Sequence, residues 1–456
     1  MANITDQNIV SNISSTDNLT VFIETYGCQM NEYDTELVRS ILSEKGFSES
    51  GALESADVIL LNTCSVRENA HNRIYGRLQR LNHLRKIKPR TIGVIGCMAQ
   101  SLKIELLDND IHVDLIAGPD GYRNLPNLIA DVRDDKKQAA SIDLSEFETY
   151  EDIYPTRKVG VNAWIAIMRG CDNFCTFCVV PYTRGRERSR SLESVVEETR
   201  RLVSEGYSQV TLLGQNVNSY EIQDSAGVKN YRFTDLIQAV ADIPGISRVR
   251  FISPHPKDFP DPLLEAMKIH PHICKHIHLP LQAGSDRILK MMRRSYTAEQ
   301  YLALVDKIRN LMPDIILSTD VILGFPTETR QEFEETVRVM ETVQFDSAFI
   351  FNYSERKGTV AKRRWKDDVS PEEKKYRITT LNDIQRKISL KQNKRHIGEN
   401  HEIVIEGPSK RDSLDWLGRT DGNKMVIFPR ADQNPGQYIR VRIHSASANT
   451  LKGDLV

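Results

Sequence analysis

A chain of 456 residues has room for about two to four domains, and 40% hydrophobic with 27% charged residues is the make-up of a soluble globular protein. The formal net charge of −1 excludes nucleic-acid binding by overall charge, so any such surface has to be local. No apolar run reaches the ~18 residues of a membrane-spanning helix. The first 18 residues are polar, lack the basic start and apolar core of a signal peptide, and read as a disordered tail. Seven cysteines without an export signal point to a reducing cytoplasm and to cluster ligation rather than disulfides.

In chain order, Leu19 to Thr25 reads as a strand with Cys28 after it, and Asp34 to Lys45 has helical periodicity. Asp57 to Asn62 is a second strand followed by Cys64, and Ser65 to Leu84 a long helix. Thr91 to Ile95 is a third strand followed by Cys97. Strands alternating with helices imply a parallel sheet, in which all carboxyl ends lie on one edge. Cys28, Cys64 and Cys97 bear the same relation to their own strands, so they are expected to converge there. Three ordinary buried thiols are the alternative.

Residues 141–158 read as an acidic linker. Beyond it, strands recur at Ala163–Met168, Gln209–Leu213, Arg248–Ile252, His276–Leu279, Ile315–Ile322 and Ser347–Phe351. Helical patterns separate them. Six such units predict an open (β/α)6 barrel with its chemistry at the carboxyl ends of the strands. The first strand runs into Gly170-Cys171-Asp172-Asn173-Phe174-Cys175-Thr176-Phe177-Cys178. Three thiolates on one loop can hold three corners of a [4Fe-4S] cube and leave the fourth iron open to a small molecule. Zinc would want a fourth ligand, and no other Cys or His stands near. The strand ends that follow carry Gly214, Gln215, Ser253, His255 and Gln282, where small residues and amides allow close approach and neutral hydrogen bonds, and with Asp320 and Phe325 they are expected to cradle that molecule. Cys274 precedes a strand at the opposite end and reads as a buried bystander.

Pro371 to Lys394 reads as a helical connector, and short alternating runs from His396 onward predict a small β-barrel. A barrel appended to an enzyme is either a nucleic-acid clamp or a structural cap, and its balanced charge does not favour RNA. Basic residues cluster elsewhere. From Arg67 to Arg90 eight basic residues, including Arg73 and Arg77, face one acid, Glu68. Arg184, Arg186, Arg188 and Arg190 follow Cys178, and Lys362, Arg363, Arg364 and Lys366 form a third group. Such clusters suit phosphates, although a solvated helix face is the ordinary use of a charge run.

The C-x3-C-x2-C spacing resembles the radical S-adenosylmethionine (SAM) superfamily, in which the residue before the third cysteine, here Phe177, lies near the adenine of SAM. The whole of residues 19–455 resembles the methylthiotransferases. The resemblance is carried also by Glu24-Thr25-Tyr26-Gly27-Cys28-Gln29-Met30-Asn31, Asn62-Thr63-Cys64-Ser65-Val66-Arg67 and Gly96-Cys97-Met98-Ala99-Gln100. It implies an N-terminal domain with an auxiliary cluster (19–140), a radical-SAM domain (159–370), the connector (371–394) and a TRAM barrel (395–456). It also implies two [4Fe-4S] clusters, on Cys28/Cys64/Cys97 and Cys171/Cys175/Cys178. SAM would serve as methyl donor and as source of a 5′-deoxyadenosyl radical. The implied reaction places a methylthio group on carbon 2 of a prenylated adenosine beside the anticodon of tRNA, an unactivated C–H position that no side-chain base can open at neutral pH. Arg67, Arg73, Arg77 and Arg184 are then the candidate RNA contacts. A low-potential electron donor of ferredoxin or flavodoxin type and a sulfur donor are the further partners, and a cytoplasmic monomer is expected. The rivals are a methylthiotransferase for another tRNA base or a ribosomal protein, and an RNA-binding iron–sulfur sensor without turnover.

Overall fold

A computed structural model describes residues 19–65, 68–107, 111–135, 137–158, 160–223 and 227–456. The expected disordered tail, 1–18, lies outside the described residues. The chain forms two compact units. One takes residues up to Glu148 with Ile153–Thr156 and Tyr182–Arg184, and the other takes Thr149–Asp152, Arg157–Pro181 and Gly185–Val456.

The first unit is a six-stranded, all-parallel sheet. Its strands are β1 (Thr20–Tyr26), β2 (Ser48–Glu49), β3 (Val58–Thr63), β4 (Thr91–Gly96), β5 (Leu115–Ala117) and β6 (Ala139–Ser141), in the order β2-β1-β3-β4-β5-β6. Every residue of β3 and β4 is buried, as expected where crossover helices cover both faces. The helix after β1, α1 (Gln29–Glu44), begins five residues before the expected Asp34. Asn31 supplies the reason: its side-chain oxygen accepts from the Cys28 backbone N–H at 3.4 Å and caps the helix end. α2 covers Glu68–Leu84, and α3 (Cys97–Leu102) starts on a cysteine. Sequence periodicity did not disclose β5 and β6, each only three residues long, nor the helix α4 (Leu125–Asp135) between them.

In the second unit, six parallel strands follow one another in chain order: Asn162–Ala166, Gln209–Leu213, Arg248–Phe251, His276–His278, Ile316–Leu323 and Ser347–Asn352. They form two three-stranded sheets joined by a parallel bridge between Val249 and Ile273, which is the open (β/α)6 arrangement. A buried ion cluster braces the first strand. Glu198 pairs with Arg157 and with Arg190 (2.6 Å), and all three side chains are at most 4% exposed. Arg190 also donates at 3.0 Å to the carbonyl of Ala166, the last residue of that strand.

The C-terminal segment is a closed five-stranded barrel of Asn400–Pro408, Asp415–Thr420, Met425–Pro429, Tyr438–Ala446 and Leu451–Leu455, with its own apolar core around Trp416 and Phe428. The last strand, Leu-Lys-Gly-Asp-Leu, gave no alternating signal, yet it closes the barrel by running parallel to Met425–Pro429. The barrel caps the amino-terminal ends of the six-strand array. Arg248 donates to the carbonyls of Arg419 (2.8 Å) and Glu402 (2.9 Å), and Arg250 to those of Asp421 (2.6 Å) and Thr420 (2.8 Å). The Lys275 N–H donates to Asp421 (2.8 Å), Lys424 pairs with Asp346 (2.6 Å), and Gly422 lies so close to Ile316 that a Cβ there would stand 2.4 Å from it. Of the two roles open to the barrel in sequence, the cap is thus built into the fold.

Replacing Glu198 by Ala removes the buried carboxylate that two buried guanidiniums share, which costs about 3–5 kcal/mol. Denaturant unfolding followed by tryptophan fluorescence, with Trp164 beside the cluster, is expected to show that loss.

Candidate functional site

The loop after Asn162–Ala166 turns on Gly170, whose φ is +77° and whose Cβ, if present, would lie 1.9 Å from the Arg186 carbonyl oxygen. Only glycine tolerates both conditions. The loop is then tied down by backbone bonds from Cys171 to Gly185 (3.2 Å), from Thr176 to Met292 (3.1 Å) and from Ala361 to Thr176 (2.8 Å). Each of its sulfurs receives an N–H. Asn173 Nδ2 reaches Cys171 Sγ at 3.6 Å, Arg294 Nη1 reaches Cys175 Sγ at 3.5 Å, and the Val180 backbone reaches Cys178 Sγ at 3.5 Å. Burial pushes the Cys171 thiol up to about 11 and Cys178 to about 12, so neither is a thiolate until a cation binds it. Sulfurs supplied with donors suit a set that carries negative charge when ligated. Among the described residues no three cysteine sulfurs all lie within 4.8 Å of one another.

Around the same rim, four buried polar atoms have no partner: Gln215 Oε1, Asn216 Oδ1, His255 Nε2 and Gln282 Oε1. Buried groups of this kind are normally satisfied, and their gathering at strand ends marks a place for a polar ligand. Backbone strain collects there too, with Ser253 at φ +62° and Gln282 at +68°. His255 Nδ1 accepts from the Lys257 N–H at 3.2 Å, which leaves the proton on Nε2. Burial, reinforced by Arg294 and Lys257, holds the ring down to about 2 and therefore neutral.

The other expected cradle residues divide. Gly214 is packed so tightly that a Cβ would meet Met168 Cγ at 2.6 Å. Asp320 is half-buried and its carboxylate stands 3.3 Å from His278 Nε2. Phe177 is half-buried against the main apolar core. Phe325 does not face a ligand: it is fully buried with its ring 5.2 Å from Tyr353 and 5.9 Å from Trp365, an aromatic core position. Arg294 and Tyr296 carried no motif and went unnoticed in the sequence. Arg294 is only 8% exposed, donates to Tyr296 Oη (3.0 Å) and to the Pro280 carbonyl (3.3 Å), and has no carboxylate partner among the described residues.

In the first unit Tyr26, Thr63 and Gly96 are register partners on adjacent strands, so Cys28, Cys64 and Cys97 leave one sheet edge together. Cys28 is exposed, while Cys64 and Cys97 are buried. Beneath them lies a buried amide network: Asn31 Nδ2 donates to Asn62 Oδ1 (3.1 Å), and Asn62 Nδ2 to the Asn31 carbonyl (2.8 Å) and to Thr35 (2.9 Å). Gly96, at φ +88°, lets β4 pass this network, since a Cβ would fall 2.5 Å from Asn62 Oδ1. A hydrogen bond with Cys64 and the charge of Arg184 draw the Cys28 thiol down to about 6, whereas burial raises Cys97.

The candidate RNA contacts fare unevenly. Arg184 is 3% exposed and donates to Asp34 Oδ2 at 2.7 Å, beside the three thiols; contrary to the expectation from sequence, its buried guanidinium presents no face to a phosphate. Arg77 is forked onto Glu24, with Nε 2.9 Å from Oε2. Arg85 and Lys88 pair with Asp114 and Asp57, and Arg90 is buried against the carbonyls of Leu53 and Glu54. Arg73, Arg80 and Lys86 remain exposed, and Arg67 lies outside the described residues.

An open parallel barrel with a C-x3-C-x2-C loop after its first strand defines the radical SAM class, which implies a [4Fe-4S] cluster and SAM. Family models agree: Radical SAM superfamily matches residues 165–340, Uncharacterized protein family UPF0004 matches 20–118, and TRAM domain matches 394–456. A radical S-adenosylmethionine methyltransferase, TsrM, from Kitasatospora setae, solved with cobalamin and a [4Fe-4S] cluster, shares the fold with a TM-score of 0.57 at 13% identity, over 76% of this chain and 77% of that one. A tRNA-2-methylthio-N(6)-dimethylallyladenosine synthase of Bacteroides fragilis is 47% identical over 96% of both chains, and one of Parabacteroides distasonis is 47% identical over 97% of both. The chain belongs to the tRNA-2-methylthio-N(6)-dimethylallyladenosine synthase family.

Arg184→Met is expected to remove the buried cation paired with the Asp34 carboxylate and lower the local stability of the first unit by about 3–5 kcal/mol. Amide hydrogen exchange in β1 and β3 measures it. An unchanged exchange pattern with a reduced salt slope for tRNA binding would return Arg184 to the RNA surface.

Proposed function

We propose that the protein places a methylthio group on carbon 2 of N6-dimethylallyladenosine next to the anticodon of tRNA. Full-length identity of 47% to curated synthases supports the substrate. The observation that carries the chemistry is the pair of three-cysteine sets, each at the carboxyl edge of a parallel array. In this proposal Cys171, Cys175 and Cys178 hold one [4Fe-4S] cluster, and Cys28, Cys64 and Cys97 hold a second. When bound, the first cluster with SAM supplies a 5′-deoxyadenosyl radical, the reagent that an unactivated C–H bond demands.

The chain's own residues prepare both places. Gly170 and the backbone bonds of the first loop fix its sulfurs, and the donors from Asn173, Val180 and Arg294 stabilise them once ionised. Arg294 is a buried cation with no carboxylate partner among the described residues, so it compensates whatever negative charge arrives beside Cys175. Gln215, Asn216, Gln282 and the Nε2–H of His255 are the polar atoms left for SAM. A neutral His255 donates there without adding charge to that of a sulfonium. Ser253, Asp320 and Phe177 stand as further SAM-side candidates. For tRNA, the exposed Arg73, Arg80 and Lys86 of the first unit and Arg363, Arg364 and Lys366 of the second are the phosphate contacts. A low-potential ferredoxin- or flavodoxin-type donor and a sulfur donor complete the cycle, in a cytoplasmic monomer.

Nucleoside mass spectrometry of tRNA from cells with and without the protein tests the function. The 2-methylthio derivative should vanish and the N6-dimethylallyl nucleoside accumulate; unchanged nucleosides would sink the assignment. Reconstituted protein should carry about eight irons, and the Cys171, Cys175 and Cys178 to Ala variant about four, with SAM cleavage abolished. Retention of all the iron would show that the loop holds none. Arg73→Glu with Arg80→Glu should weaken tRNA binding and flatten its dependence on salt by about one unit of slope per lost phosphate contact. SAM cleavage without tRNA should persist, and an unchanged slope would remove these arginines from the interface.

A further inference from the structure

The junction between the connector helix (Pro371–Lys394) and the first barrel strand carries His396, Glu399 and His401. His396 Nδ1 lies 3.0 Å from Glu399 Oε2, His401 Nε2 lies 3.1 Å from the same oxygen, and the two nitrogens are 3.2 Å apart. Protons cannot satisfy this closed triangle. An ionised carboxylate only accepts, and each ring nitrogen presents either one N–H or one lone pair, in the ring plane. If both nitrogens donate to Glu399, two N–H groups oppose each other across 3.2 Å. If one donates to the other, it has no proton left for the carboxylate. At most two of the three contacts are hydrogen bonds.

One cation satisfies all three lone pairs together. Zinc–nitrogen and zinc–oxygen bonds of about 2.0–2.2 Å set tetrahedral ligands roughly 3.3–3.5 Å apart, a few tenths of an ångström beyond the spacings here. The backbone holds the triangle ready. Gly398, at φ +92°, turns the chain back; its N–H donates to the Ile443 carbonyl (2.8 Å), and the Ile443 N–H donates to Glu399 (3.0 Å). His401 is in register with Val441, and Asn393 donates to the carbonyls of Ser447 (2.9 Å) and Ala448 (3.1 Å). Both histidines are half-buried and Glu399 is exposed, which leaves an outward side for water.

We propose that His396, Glu399 and His401 bind one divalent ion of the zinc type, with water completing its shell. The ion clamps the end of the connector helix to the first strand of the barrel. Two imidazoles and a carboxylate are a donor set that zinc accepts readily, whereas magnesium and calcium prefer oxygen alone. The role is structural, and SAM cleavage does not depend on it.

The test uses full-length protein with its clusters in place, treated with a mild chelator, equilibrated with micromolar ZnCl2 and assayed by plasma mass spectrometry. Wild type should hold about one zinc per chain more than either His401→Ala or His396→Gln, with equal iron in all three. Zinc taken up adventitiously at cysteines cancels in that difference. The zinc-dependent rise in thermal midpoint should appear in wild type only. Should a variant melt earlier even without zinc, the other variant carries the comparison. Equal zinc content and equal midpoint shifts in all three proteins would overturn the proposal and leave a hydrogen-bonded triad.

Discussion

A sulfur that is to hold iron must be shielded from water and yet lie close to positive charge. Burial drives the Cys171 and Cys178 thiols toward the protonated form, so the surroundings have to repay the ionised one. Each three-cysteine set has a buried guanidinium for this purpose. Arg294 stands against Cys175 with no acid of its own, and Arg184 acts on Cys28 and Cys97 while tied to Asp34. The difference is physical. An uncompensated buried cation is costly until an anion arrives, whereas the Arg184–Asp34 pair is close to neutral throughout. The glycines at 96 and 170 are required because strands crowd together where the thiols emerge.

The parallel array separates chemistry from support. Carboxyl ends of the strands carry the thiol loop, the strained Ser253 and Gln282 and the unpaired amides. Amino ends are occupied by the C-terminal barrel, through carbonyls that take up the hydrogen bonds of Arg248 and Arg250. Sealing the amino ends leaves the carboxyl ends of the array for ligand, and it removes the guanidiniums of Arg248 and Arg250 from solvent.

Much of this was legible in the residues, for definable reasons. The first strand of the second unit announced itself because a buried parallel strand can read as an unbroken apolar run, as in Ala163–Met168, and the later ones as short apolar-rich runs between helical patterns. The cysteines were legible because each follows such a run. The start of α1 was misplaced because Gln29 and Asn31 are polar, and a cap is a local hydrogen bond rather than a periodicity. Three-residue strands and the Gly-containing Leu451–Leu455 give too few alternations to detect. Phe325 follows a strand end like its neighbours, but only packing reveals that its ring turns toward Tyr353 and Trp365. The basic stretch beginning at Arg67 looked free because its acids, Glu24, Asp57 and Asp114, come from other strands and loops. Arg294 was illegible for the converse reason: its partner is a sulfur 119 positions away in the chain.

The barrel's position bears on how the protein is made. Its residues leave the ribosome after those of the six-strand array, and synthesis runs at roughly 5–20 residues per second. The turn at Asp421–Gly422 that seats against Ile316 and Lys275 is therefore absent for some seconds after all six strands exist. During that interval Arg248 and Arg250 have only water for their donors, and the array is open at both ends. The nascent chain thus passes through a stage at which its interior can be reached from the side later stoppered. Any cluster delivered before release meets a cavity with two mouths rather than one.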